Sequence, residues 1–157
     1  MRCRCRDHEV RAYLSRLSGP LLDRIDLQVE VGRVATDELL MDSPLPSGGG
    51  ESARVRSRVI AARERAVGRF AAESGVFANA QLGPRLVRHY CALRGATHAL
   101  LREAAERLAL TARSVHRVLK VSRTIADLDG APEIGERHLA EVLQYRGLDR
   151  AWPRPEE

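Results

Sequence analysis

Thr111 to Leu128 reads TARSVHRVLKVSRTIADL, and this stretch decides the fold. Val115, Val118, Leu119, Ser122, Ile125 and Ala126 recur at three- and four-residue spacing, which gathers them on one side of an α-helix. Thr111 stands where its hydroxyl can accept a free N–H of the first turn. Asp129-Gly130-Ala131-Pro132 stops the helix at its far end. A helix with one apolar side must bury it against a neighbour, and the flanking sequence supplies helices.

Residues 53–74 place Val55, Val59, Ala62, Ala66 and Phe70 on one side of a long helix. Pro84 suits a first helical turn and starts a helix to about Leu93. Thr97 is placed to cap a further helix ending near Leu108, and a last helix spans about Glu136 to Tyr145 and ends at Gly147. Five helices joined by short connections predict a small all-α bundle over residues 53–147, with a polar tail at 148–157.

Upstream, Asp42 to Ser52 holds two prolines and three glycines, so residues 43–52 read as a flexible linker. Residues 1–42 differ in character. Asp7 to Leu17 has the spacing of a short helix. Ile25, Leu27, Val29 and Val31 alternate with Asp26, Gln28 and Glu30, the period of a half-buried strand. One strand cannot bury itself, so its sheet partners are expected outside this sequence, or it is unpaired here.

The charge excludes some functions. Lys+Arg is 26 against Asp+Glu 21, a net charge of +5, and the only lysine is Lys120. Lys120 sits in Val118-Leu119-Lys120-Val121-Ser122 without a preceding glycine loop, so the chain carries no Walker A motif. With aromatics at 4%, it is poorly furnished for stacking single-stranded bases. No apolar run approaches a membrane span, and three thiols (Cys3, Cys5, Cys91) suggest a reducing cytoplasm rather than a disulfide framework.

Arginines make the candidate sites. Gly19-Pro20 turns the chain, Leu21 and Leu22 anchor it, and Arg24 follows just before the strand pattern. A guanidinium on such a corner is permanently charged and can bind phosphate through two parallel hydrogen bonds. Arg113 lies in the first turn after Thr111, where free N–H groups already favour an anion, with Arg117, Lys120 and Thr124 following on the same side. Arg54, Arg58, Arg65 and Arg69 form a stripe on the long helix that can track DNA phosphates, or that is simply solvated or paired with acids. Cys3-Arg4-Cys5 has the look of metal ligands, but too few donors for a tetrahedral zinc site.

Leu21-Leu22-Asp23-Arg24-Ile25-Asp26, preceded by Ser18-Gly19-Pro20, resembles the arginine-finger segment of ring-forming AAA+ ATPases. The resemblance is nearest to the magnesium-chelatase-like group that includes the ComM-type competence proteins. It extends from Cys3 to about Arg146, including the closing helix around His138-Leu139-Ala140-Glu141-Val142-Leu143. The implied fold is mainly α: a C-terminal helical lid with a short remnant of the α/β core before it. The resemblance implies that Arg24 acts catalytically across a subunit boundary on the γ-phosphate, and that Arg113 is the sensor-2 arginine, both in contact with ATP. It implies an ATP- and Mg-dependent, hexameric, cytoplasmic ring of identical subunits acting on DNA in recombination or natural transformation. This chain by itself is expected to be inactive and to hold no cofactor. Family members carry a further cysteine pair upstream, which would make Cys3 and Cys5 half of a structural zinc site.

Two other readings compete. One is a magnesium chelatase motor subunit, which shares the Leu-Leu-Asp-Arg turn. The other is a helix-turn-helix DNA-binding module over Ala105 to Leu119, with Arg113, Ser114 and Arg117 facing the major groove. Ala109 stands where that motif usually wants glycine.

Overall fold

The computed structural model describes residues 5–16, 21, 24–29, 31–34, 36 and 50–146. Among these, six α-helices carry the chain: α1 (Asp7–Leu14), α2 (Gly50–Arg69), α3 (Pro84–Tyr90), α4 (Gly95–Arg107), α5 (Ala112–Leu128) and α6 (Glu136–Gln144). A 3-10 turn at Asn79–Gln81 joins α2 to α3. The protein is mainly helical, as the periodicity of 111–128 requires. No helix among the described residues is long and apolar enough to cross a membrane.

Helix α5 is the axis of the bundle. It packs on α2, α3, α6 and the 3-10 turn, while α4 closes against α6. Its buried residues are Ser114, Val118, Ser122, Arg123, Ile125, Ala126 and Asp127, which keep the helical period but include four polar side chains. Two apolar clusters form around it. Phe70, Leu82, Leu86, Val87, Cys91 and Ile134 gather beside Ala126. Leu101, Leu139 and Val142 gather beside Val118 and Ile125. With so few rings, one edge-on aromatic pair does much of the filling: Phe70 and Tyr90 lie 5.1 Å apart at 80°.

The helix ends show why these residues stop where they do. The Thr111 hydroxyl accepts the Ser114 N–H at 3.1 Å, as expected of the N-cap. At the other end Gly130 takes φ +72°, and its N–H bonds the Asp127 carbonyl at 3.2 Å while the Ala131 N–H bonds the Ala126 carbonyl at 2.8 Å. This is a Schellman cap, and a Cβ at Gly130 would come within 3.2 Å of the Arg65 guanidinium.

Four expectations are adjusted. Helix α4 starts at Gly95 with φ +51°, two residues before Thr97, which is buried in the first turn instead of capping it. Helix α2 starts at Gly50, inside the expected linker, and the rest of that linker lies outside the described residues. Val55 and Val59 share the apolar side of α2 with Ala62, Ala66 and Phe70, yet both are exposed. The described residues of 25–31 form no strand, and no second strand stands beside them among the described residues. Leu27, Val29 and Val31 are exposed there, and the tail at 148–157 lies outside the described residues.

Candidate functional site

The segment before the strand pattern is held to the bundle across more than ninety residues of sequence. Arg117, on the second turn of α5, donates to the main-chain carbonyl of Arg24 and forms an ion pair with the Asp26 carboxylate. Arg146, just past α6 and buried, donates to the Ile25 carbonyl at 3.2 Å and to the Ser114 hydroxyl at 3.4 Å. The Gln28 amide donates to the Tyr145 carbonyl at 2.9 Å. Residues 24–28 therefore lie along the start of α5 and the end of α6, held mainly through their backbone.

Arg24 itself is exposed at this corner. Arg113 is exposed in the first turn of α5, one turn before Arg117. The two arginines singled out in the sequence thus belong to one structural unit, linked through Arg117. Both exposed residues bring a guanidinium, whose planar fork matches phosphate. Helix α5 adds the partial positive charge of its N-terminus.

The remaining residues of that helix face are engaged elsewhere. Lys120 donates to the Ala80 carbonyl at 2.9 Å, and the Thr124 hydroxyl accepts from Asn79 at 3.1 Å. Asp26, Ala80, Arg117, Lys120 and Thr124 surround a cleft of about 150 Å³. Of the three residues in the helix-turn-helix reading, Ser114 is buried under Arg146 and Arg117 is bonded to Asp26, leaving Arg113 exposed. Ala109 does adopt the left-handed turn geometry, at φ +45°.

The arginine stripe of α2 divides. Arg54 and Arg58 are exposed. Arg69 turns inward, its two terminal nitrogens gripping the Asp127 carboxylate, and Arg65 donates to the Asp127 carbonyl at 2.9 Å. Their guanidiniums tie α2 to α5, and for Arg69 this is the pairing with an acid that the sequence left open. Asp127 also receives Asn79 at 2.9 Å and pairs with buried Arg123 at 3.1 Å. Arg123 in turn donates to the carbonyls of Pro132 and Ala131, at 2.9 and 2.6 Å. Burial lowers the Arg123 pKa from its ordinary value, while Asp127 opposes that shift. The signal for this network was present in the sequence as Arg123 and Asp127 on the inward side of α5, four residues apart.

Among the described residues no group of three or more His, Cys, Asp or Glu is placed to hold a metal ion. Cys5 is exposed, and Cys3 lies outside the described residues. His138, a residue of the closing helix, is buried and structural. The Gly135 N–H donates to its Nδ1 at 2.9 Å, and its Nε2 accepts from the Arg137 Nε–H at 3.1 Å and lies 3.2 Å from the Asp129 carboxylate.

Comparison with known proteins decides the family. The model described as magnesium chelatase, subunit ChlI C-terminal, matches residues 49–146, and that of magnesium chelatase, subunit ChlI, matches residues 1–39. The chain belongs to the magnesium chelatase ChlI family. The first match spans the bundle from α2 to the buried Arg146, and the second spans the Arg24 segment docked on it. Competence protein ComM of Haemophilus influenzae is 41% identical over 145 residues, covering 90% of this chain and 26% of the relative. Uncharacterized protein YifB of Salmonella typhimurium is 40% identical over 147 residues, 94% of this chain and 28% of the relative. Uncharacterized protein Mb2921c of Mycobacterium bovis is 37% identical over 145 residues, 92% and 27% respectively. This ChlI-family chain therefore spans about a quarter of the length of these relatives.

Proposed function

We propose that this chain is the arginine-finger and lid portion of a competence-type AAA+ ATPase. In this reading Arg24 completes the nucleotide site of an identical neighbouring subunit and stabilises charge on the transferring phosphoryl group. Such a residue contributes roughly a thousandfold or more in rate in phosphoryl-transfer enzymes. Arg113 contacts nucleotide phosphates from the start of α5 and links nucleotide state to the lid. ATP and Mg are held by a phosphate loop elsewhere in a longer polypeptide, since Lys120 has no such loop around it.

The observation that carries the reading is the docking of the Arg24 corner onto the start of α5. It assembles two exposed, permanently charged guanidiniums on one unit, Arg24 and Arg113, linked through Arg117. A positioned arginine of this kind loses little side-chain freedom on meeting a phosphate. The similarity to a competence protein supports a competence-type parent, which we read as a hexameric, cytoplasmic ring acting on DNA in recombination or transformation. Arg54, Arg58 and Arg65 are the exposed members of the α2 stripe that can meet DNA phosphates. The chelatase-motor and helix-turn-helix readings rank below this one, the second because Ser114 and Arg117 are engaged within the fold.

The test is enzymatic. The 157-residue chain alone should hydrolyse no ATP. In the longer polypeptide, Arg24→Ala should abolish turnover while leaving nucleotide binding intact. Near-normal turnover in that variant would remove the finger assignment.

A further inference from the structure

We infer that Arg117 is the positioning residue of the finger, transmitting the state of the sensor-bearing turn of α5 to Arg24. This inference rests on the finger reading of Arg24. It goes beyond that reading by assigning a role to a side chain that touches no nucleotide.

The geometry is specific. The Arg117 guanidinium bonds the backbone carbonyl of Arg24 itself and the carboxylate two residues later. Two fixed points on one short corner define where the Arg24 side chain starts and in which direction it leaves. Arg117 is 20% exposed, so its stem is packed against the bundle and its head has little freedom of its own. Arg113 and Arg117 are separated by one helical turn, about 6 Å along the axis. A helix is stiff over that length. A displacement of Arg113 by a phosphate is therefore passed to Arg117, and from Arg117 to the backbone of Arg24.

A second link runs in parallel. Ser114, the residue after Arg113, meets the buried Arg146, which bonds the Ile25 carbonyl. The first two turns of α5 thus bear on two successive carbonyls of the finger corner, those of Arg24 and Ile25. The Arg117–Asp26 pair contributes direction rather than much stability, because the Asp26 side chain is 53% exposed and solvent screens it. Direction is what a finger requires, since a misplacement of about 1 Å at a reacting centre costs on the order of a hundredfold in rate.

Two measurements test this. The first is amide hydrogen exchange in the 157-residue chain, read at Gln28, whose N–H bonds the Tyr145 carbonyl. Arg117→Ala should speed exchange at Gln28 without changing exchange in the core of α5; unchanged protection would overturn the inference. The second is ATP turnover of the longer polypeptide carrying Arg24→Ala, Arg117→Ala or both. Arg117→Ala should lower kcat by about tenfold or more with KM for ATP little changed, and the double variant should be no slower than Arg24→Ala alone. If Arg24→Ala inactivates but Arg117→Ala turns over normally, the positioning role is wrong and the finger stands. If the double variant is slower than Arg24→Ala alone, Arg117 acts on its own account and the inference fails. If Arg24→Ala is itself silent, the finger reading falls and takes this inference with it. Should Arg117→Ala fail to fold, Arg117→Lys and Asp26→Asn provide the same readings. Each weakens the two-point grip, so each should show a smaller loss in the same direction; wild-type kcat and Gln28 exchange in both would overturn the role.

Discussion

At the scale of single residues, Asp127 has the most to lose. One carboxylate holds Arg69, Arg123 and Asn79, and its side chain is 2% exposed. Removing it leaves two guanidiniums facing each other in a low-dielectric interior. Breaking a buried pair by deleting one partner costs about 3–5 kcal/mol. Asp127→Ala should therefore destabilise the bundle by that order in urea unfolding, and a loss under about 1 kcal/mol would mean that the network is not maintained in solution. Cys91 gives a prediction in pH. Burial pushes its thiol up to about 11 from 9.0, while Arg123 and Arg69 pull it the other way. The folded state holds this proton more tightly than the unfolded chain does. Its contribution is complete below about pH 9 and is lost as pH rises towards about 11. Unfolding free energies measured across that window should fall less steeply in Cys91→Ala than in the wild-type chain; identical slopes would contradict it.

At the scale of elements, α5 was legible because apolar period and cap agree. Val118, Ile125 and Ala126 are buried as their spacing requires, and the Thr111 hydroxyl caps Ser114. Thr111→Ala should cost about 1 kcal/mol in thermal or urea unfolding, the ordinary worth of such a cap, whereas an unchanged midpoint would show that the cap contributes nothing. The misreadings are equally physical. Alternation at 25–31 left open whether a strand forms, since a ladder needs a second strand; the backbones of Arg24, Ile25 and Gln28 bond to Arg117, Arg146 and Tyr145 instead. Thr97 had the composition of a cap, but the left-handed conformation of Gly95 starts α4 earlier and carries Thr97 inside. Angular spacing on α2 gave a stripe of arginines but not its environment. Asp127, 58 residues from Arg69, draws the half-buried Arg69 to its carboxylate and the exposed Arg65 to its carbonyl.

At the scale of the whole molecule, the net charge of +5 is partly met inside the fold, where Arg69 and Arg123 pair with Asp127. Arg69 is half-buried on the Asp127 carboxylate, while Arg54, Arg58 and Arg65 stay exposed, with one Arg65 nitrogen tied to the Asp127 carbonyl. Isolated duplex DNA should bind this chain more weakly than about 1 µM at physiological salt and without sequence preference; a specific nanomolar site would favour the helix-turn-helix instead. Family membership could be read from the sequence, because the residues around Arg24 form a local pattern; Leu21, expected to anchor that turn, is exposed, and Leu22 lies outside the described residues. The grip of Arg117 and Arg146 on that corner was not legible, since it joins residues some ninety or more positions apart through main-chain carbonyls. The central claim is that Arg24 works on a phosphate held by another subunit, and subunit mixing tests it most directly. One population of the longer polypeptide carries Arg24→Ala; the other keeps Arg24 but has a disabled phosphate loop. Each alone should be inactive, and mixing them should restore ATP turnover, because intact fingers then face intact nucleotide sites. Full activity of Arg24→Ala alone, or no recovery in stable mixed rings, would contradict the account.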